Sequence, residues 1–126
     1  MFRWFLSLPG ADCLLGEAGG EIVGFILTDA DPPQGQVITL DVLEPHRRSG
    51  IGSRLLQEAE SRMHAAGVCE VTLETATNNQ PAIAFWMKHG YRTEAVLKNY
   101  YLDRIDAFQM RKTFAASAST NRRPIE

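Results

Sequence analysis

Arg47-Arg48-Ser49-Gly50-Ile51-Gly52 is the stretch of this chain best suited to chemistry, and that chemistry is anion binding. It follows an apolar alternating run that ends at Leu43 and opens an amphipathic run that starts at Gly50. A helix start in this place offers N–H groups with no intrahelical partner and a partial positive charge. Gly50 and Gly52 remove side chains that would keep a phosphate away, and the two arginines add forked donors. Neither G-x-x-x-x-G-K-[ST] nor G-x-G-x-x-G occurs, so the loop is not a Walker or dinucleotide fingerprint. Taken alone, it also reads as a plain helix start flanked by solvated arginines. Glu74 is the second candidate, a carboxylate on the polar side of an alternating run. It can serve as a general base or be a solvated strand residue like Glu70. His46, His64 and His89 show no ligand spacing with cysteines or carboxylates, so no metal site is predicted.

These residues need elements to hold them. The spacing predicts a strand over 36–43, with Ile38, Leu40 and Val42 on one face and Thr39 and Asp41 on the other. A helix is predicted over 50–66: Ile51, Leu55, Ala59 and Met63 form a buried stripe, Glu58 and Arg62 pair on the wet side, and Gly67 ends it. Residues 68–76 read as a strand with Cys69, Val71, Leu73 and Thr75 facing one way and Glu70, Thr72 and Glu74 the other. Asn79 is an N-cap and Pro81 suits the first turn of a second helix that stops at Gly90. Its residues Ala82, Ile83, Phe85, Trp86 and Met87 are apolar nearly all round, which predicts deep packing. Two strands, 91–98 and 106–114, flank an Asn99-Tyr100-Tyr101 loop.

Upstream, Phe2–Leu8 reads as one or two turns of helix stopped by Pro9-Gly10. Residues 13–17 and 21–29 read as strands joined at Gly19-Gly20, and 30–35 as a loop, because two prolines do not sit in a central strand. The order strands, then strand-helix-strand-helix-strand-strand, predicts an α/β fold. It would be a twisted mixed sheet with a parallel pair, a right-handed crossover and helices on its faces. Residues 1–114 are expected to be one domain and 115–126, small, polar and aperiodic, a disordered tail.

Composition narrows the partners. A net charge of −2 over 126 residues favours neither nucleic acid nor an anionic membrane, and no apolar run is long enough to span a bilayer. The apolar start meets Pro9-Gly10 too soon for a signal peptide, so cytoplasm is the expected location. Cys13 and Cys69 lie in strand-like apolar runs and read as small buried residues, not as a disulfide framework.

The motifs together resemble a family. R-x-x-G-x-G after a strand, then Leu73-Glu74-Thr75, then Asn79-x-x-Ala82-Ile83-x-Phe85-Trp86-x-x-x-Gly90-Tyr91, look like the GNAT acetyltransferases. Asn99-Tyr100-Tyr101 followed by Asp106-Ala107-x-x-Met110 is similar to the RimI-like branch, the ribosomal-protein alanine N-α-acetyltransferases. The likeness covers about residues 21–112 and needs no gap over 40–91. It implies acetyl-coenzyme A as donor and an amine as acceptor, most naturally a protein or peptide N-terminus. It places the pantetheine arm and thioester carbonyl along Leu40, Asp41 and Val42. It places the diphosphate on Arg48, Ser49, Gly50, Ile51, Gly52 and Ser53, with Arg47 alongside and Asn79 contacting the cofactor. Glu74 falls where the family has its base.

The sequence departs from that pattern twice. Trp86 stands where the family usually carries the tyrosine that returns a proton to the thiolate. An indole N–H does not serve as that acid; Tyr100 and Tyr101 are the candidate substitutes, with packing over the sheet and hydrogen bonding of the loop as their alternative role, and Trp86 is expected to line the cofactor channel. The strand and two helices that usually come first also have no counterpart, with Phe2–Leu8 at most a remnant of the second helix. The chain then lacks its usual front and its 13–17 strand reads as an exposed edge: either a second copy covers it or the sequence is N-terminally shortened relative to a longer product, and monomer and homodimer both stay open. The rival readings are a small-molecule amine acetyltransferase, a catalytically weak acyl-CoA-binding module and a generic nucleotide-phosphate binder.

Overall fold

The computed structural model describes residues 1–102 and 104–114; the predicted tail, 115–126, lies outside the described residues. Seven strands and two α-helices make a mixed α/β fold. In chain order these are β1 (Phe2–Leu8), β2 (Ala11–Ala18), β3 (Glu21–Asp31), β4 (Gln34–Val42), α1 (Ile51–Ala65), β5 (Glu70–Ala76), α2 (Gln80–Lys88), β6 (Arg92–Leu97) and β7 (Ala107–Thr113). They group into two compact units, Met1–Cys69 and the residues from Glu70 onward.

In the first unit β1 to β4 pair in sequence, each antiparallel to the next. The Gly19-Gly20 turn joins β2 to β3 as expected, with both φ angles positive. Pro32-Pro33, joined by a cis peptide, lies between β3 and β4, and the two strands run closer to the prolines than predicted. α1 lies across β2, β3 and β4. Its Leu55, Leu56, Ala59 and Met63 are buried with Leu14, Val23, Ile26, Val37 and Val68. Gly24 makes the close approach possible: a Cβ there would stand 2.9 Å from the Asp41 carbonyl oxygen and 3.4 Å from Leu55 Cδ1.

Several expectations change in this unit. Phe2–Leu8 is a strand and not a helix remnant, and it covers the β2 edge that was expected to be open. Seven residues gain little from helix formation, whereas alternation lets Phe2 and Trp4 turn inward under cations. Arg54 sits 5.0 Å over the Phe2 ring and Arg62 4.3 Å over the Trp4 ring, contacts worth about 0.5–1 kcal/mol each when exposed. Arg62 also pairs with Asp12 Oδ2 at 2.9 Å, where a bond to Glu58 was expected. In β4 the alternation breaks: Leu27 faces Thr39 while Thr28 faces Val37, leaving Ile38 bulged and exposed instead of inward. Cys69 is exposed and lies just before β5, its backbone N–H donating to Pro33 O at 2.7 Å. Cys13 is half-buried, and burial pushes its thiol up.

In the second unit β7 lies between β5 and β6 and is antiparallel to both. The parity predicted for β5 is seen: Val71, Leu73 and Thr75 are buried and Glu70, Thr72 and Glu74 are half-buried on the opposite face. Arg111 spans the polar face. Its Nε and Nη2 reach Glu94 at 2.7 and 2.9 Å and its Nη1 reaches Glu70. These bonds hold the Glu94 carboxyl below its usual range and keep Arg111 charged. α2 is less deeply packed than its composition predicts. Only Trp86 is buried, while Ala84 and Met87 are exposed. The Trp86 ring stacks edge-on against Tyr91, which is fully buried, at 5.5 Å.

Candidate functional site

The two units carry one group of candidate residues each. In the first, β4 ends at Val42 and a 3-10 turn, Glu44–His46, leads to the basic loop. Arg48 adopts φ 65° and Gly50 φ 88°. The positive φ at Gly50 turns the chain abruptly into α1, and nothing lies within 4 Å of where a Cβ would stand. Gly50 is the N-cap and supplies no side-chain cap; the first bond inside the helix is Arg54 N–H to Gly50 O at 3.0 Å. Helix geometry thus aims the Ile51, Gly52 and Ser53 N–H groups out of this end. Ser49 Oγ donates back to His46 O and fixes the turn. Arg48 is exposed beside it. The arrangement suits a multiply charged anion.

Arg47 is placed differently from its neighbours. Its Nε donates to Val42 O at 2.8 Å and its Nη2 lies 3.6 Å from Asp41 Oδ1. The guanidinium therefore closes the loop against the end of β4. Along that strand Leu40 is half-buried, Asp41 exposed and Val42 buried.

In the second unit Glu74 and Tyr100 meet. The Tyr100 hydroxyl donates to Glu74 Oε1 at 3.4 Å, a long bond with the tyrosine half exposed. The negative charge of Glu74 pushes the Tyr100 phenol above its ordinary value, so it keeps its proton at neutral pH. Tyr101 stacks edge-on with Tyr100 at 5.0 Å, and its phenol is pushed up first by burial. Asn79 caps α2 as predicted, its Oδ1 accepting the Ala82 N–H at 3.2 Å.

The acetyltransferase (GNAT) family profile matches residues 1–91. This chain belongs to the GNAT acetyltransferase family. It is 35% identical over 109 residues to an N-alpha-acetyltransferase of Sulfurisphaera tokodaii, covering 76% of this chain and 65% of that protein. It is 34% identical over 117 residues to the N-alpha-acetyltransferase MAK3 of Arabidopsis thaliana, covering 90% of this chain and 62% of that protein. The chain thus spans a little under two thirds of the length of these relatives. Among solved structures it is similar to Ard1 from Thermoplasma volcanium, with a TM-score of 0.79 and 30% identity over 82% of this chain and 71% of that one.

In this GNAT chain the Asn99 loop is set by a residue that sequence reasoning did not assign a role, Asp106. Its Oδ1 accepts the Asn99 N–H at 2.9 Å and its Oδ2 accepts from Lys98 Nζ at 3.2 Å. Its carbonyl takes the Thr77 N–H at 3.0 Å, just past the end of β5. These bonds, with Asn99 at φ 53°, hold Tyr100 toward Glu74. The signal available in the sequence was an acid seven residues after a turn-forming Asn. The Asn99 N–H, and then Lys98, hold the Asp106 carboxyl below its usual range. A carboxyl lowered by folding stabilises above its unfolded pKa and loses that contribution as pH falls through the folded one. Loop order from Asp106 is therefore complete at neutral pH and is lost below the ordinary aspartate range, about 4. Asp106→Ala is expected to raise hydrogen exchange at the Asn99 amide at pH 7 and to bring the Tyr100 phenol back toward its ordinary pKa by ultraviolet titration. Unchanged exchange would remove the loop role.

Trp86 is 8% exposed and packs on Phe85 and Tyr91, which leaves little of its ring for a ligand. Among the described residues no three His, Cys, Asp or Glu side chains are grouped to hold a metal, and no helix is long and apolar enough to cross a membrane.

Proposed function

We propose that this chain transfers acetyl from acetyl-coenzyme A to the α-amine at a protein or peptide N-terminus. The observation that carries the reading is the Glu74–Tyr100 pair, a base and a protonated phenol in contact on the polar face of a GNAT chain. The N-alpha-acetyltransferase names of the curated relatives support the same acceptor.

The co-substrate supplies an activated acetyl group as a thioester. Its diphosphate fits the start of α1, with Arg48 and Ser49 beside the N–H groups of Ile51, Gly52 and Ser53 and open space at Gly50. Leu40, Asp41 and Val42 offer main-chain groups to the pantetheine arm, the Val42 carbonyl already shared with Arg47. Asn79, capping through Oδ1, keeps its amide N–H groups for the cofactor.

Glu74 takes the proton of the incoming ammonium, directly or through water, and the neutral amine attacks the thioester carbonyl. The C–N bond forms, the C–S bond breaks, and the second proton that the amine nitrogen loses as the amide forms is carried by water to the leaving thiolate, which departs as the thiol. Tyr100 holds its own proton more firmly than an ordinary phenol, because the Glu74 charge pushes its pKa up, so it is a weak donor to the thiolate. Its larger contribution is the hydrogen bond that orients Glu74. An α-amine of pKa about 7.8 is neutral in about one molecule in seven at pH 7, a lysine in about one in 2,500. The α-amine therefore asks far less of a single carboxylate.

The test is a peptide with a free N-terminus and one internal lysine, incubated with the chain and acetyl-coenzyme A. Fragment masses should place the acetyl group on the α-amine, with one thiol released per acetyl transferred. Binding of acetyl-coenzyme A without thiol release to any amine would leave only the acyl-CoA-binding reading.

A further inference from the structure

We infer that Gln109 determines acceptor specificity: its carboxamide holds the first peptide group of the acceptor and so selects an α-amine over a lysine side chain. The inference rests on the acetyl-transfer reading. Gln109 on β7 is the direct cross-strand partner of Glu74 on β5, so both side chains project from the same face. Both are half-buried. Among the described residues the Gln109 side chain makes no hydrogen bond, although charged groups around it are engaged. Arg111, two residues along the same strand and face, is locked by Glu70 and Glu94, and Glu74 is held by Tyr100. On the other side its cross-strand partner is Ala95 of β6, whose methyl group offers no hydrogen bond.

A carboxamide has one acceptor and two donors, the complement of a peptide C=O and N–H. Cross-strand neighbours have Cβ atoms about 4.5–5.5 Å apart. In an N-terminal residue the amine and its own peptide group are separated by a single Cα, about 3–4 Å. An amine at Glu74 therefore puts that peptide group within reach of Gln109. A lysine ε-amine is about 6 Å from its Cα when extended, so the same position meets methylenes and the amide goes unanswered. An unanswered half-buried amide costs binding to the wrong acceptor more than a formed one adds to the right acceptor.

Gln109→Leu keeps the size and removes both hydrogen-bonding groups. With an α-amine peptide the expected result is a KM about tenfold higher or more, a kcat within about twofold, and an α-over-ε preference at least tenfold lower. With a simple alkylamine, which has no peptide group, rates should match the unaltered chain. Gln109→Glu, which keeps an acceptor and loses the donors, should fall between and covers the case in which the leucine variant does not fold. Unchanged KM and unchanged α-over-ε preference in a folded variant would overturn the inference. Equal losses for peptide and alkylamine would also overturn it, since that is the mark of a merely structural role. If the unaltered chain releases no thiol with any amine, the acetyl-transfer reading itself fails, and that outcome is separate from either.

Discussion

Replacing Gly50 by glutamate is expected to weaken acetyl-coenzyme A binding by a hundredfold or more while the chain still folds. Nothing lies within 4 Å of the position a Cβ would take, so the new side chain meets no clash. It does meet strain, because φ is 88° there, a conformation that costs a non-glycine residue about 1–2 kcal/mol. The carboxylate would also lie at the start of α1, where a negative charge is welcome and recovers about 0.3–1 kcal/mol. That attraction is the trouble for the ligand, because the side chain takes the diphosphate's place. Two like charges about 5 Å apart at an effective dielectric near 20 repel by about 3 kcal/mol, and each 1.4 kcal/mol is tenfold in affinity. Gly50→Ala separates the causes. It carries the same strain without the charge, and should lose stability in thermal melting but bind within about tenfold of normal by calorimetry. Near-normal binding by the glutamate variant would show that the diphosphate lies elsewhere.

Glu74→Gln is expected to lower kcat at pH 7 by about a hundredfold to ten-thousandfold, the usual range for loss of a general base. Affinity for acetyl-coenzyme A should not change, because the diphosphate cradle belongs to the start of α1. The amide oxygen can still accept the Tyr100 hydroxyl, so the geometry of the pair survives and the lost proton acceptance is isolated. The defect should narrow as pH rises past the α-amine pKa of about 7.8, where the acceptor deprotonates unaided. With a lysine acceptor, which needs about 2.6 units more, or roughly 3.5 kcal/mol, the defect should persist to far higher pH. Tyr100 reports the same change by ultraviolet absorbance. The Glu74 charge is the first cause of its raised pKa, so the phenol should titrate nearer its ordinary value in the variant. A variant with unchanged kcat and pH profile would remove Glu74 as the base.

The half of this architecture written in strong periodic signals could be read in advance. α1 and its buried Leu55, Ala59 and Met63 follow from the four-residue spacing, and the face of Glu74 follows from the alternation of β5. Asn79 as a cap and the turn at Gly19-Gly20 follow from local chemistry alone. What escaped depends on distant partners. Phe2–Leu8 becomes a strand because β2 offers an edge and Arg54 and Arg62 offer cations to its rings, none of which its own residues reveal. The bulge at Ile38 interrupts a pattern that looks continuous on paper, and it changes which apolar side chains face the core. Arg62 finds Asp12, fifty residues away, in preference to its helix neighbour Glu58. In the candidate site, Glu74 and the α1 start were visible as motifs. The meeting of Tyr100 with Glu74, the loop bonds of Asp106 and the placing of Gln109 beside Glu74 needed the β5-β7-β6 register.

The most direct measurement is a titration of the isotope-labelled chain with coenzyme A, followed by backbone amide resonances. Saturable shifts are expected first at the amides of Ile51, Gly52 and Ser53, and they should vanish in Gly50→Glu. Saturable binding that leaves those three amides unmoved would contradict the assignment of the helix start as the anion cradle, and with it the acetyl-transfer reading.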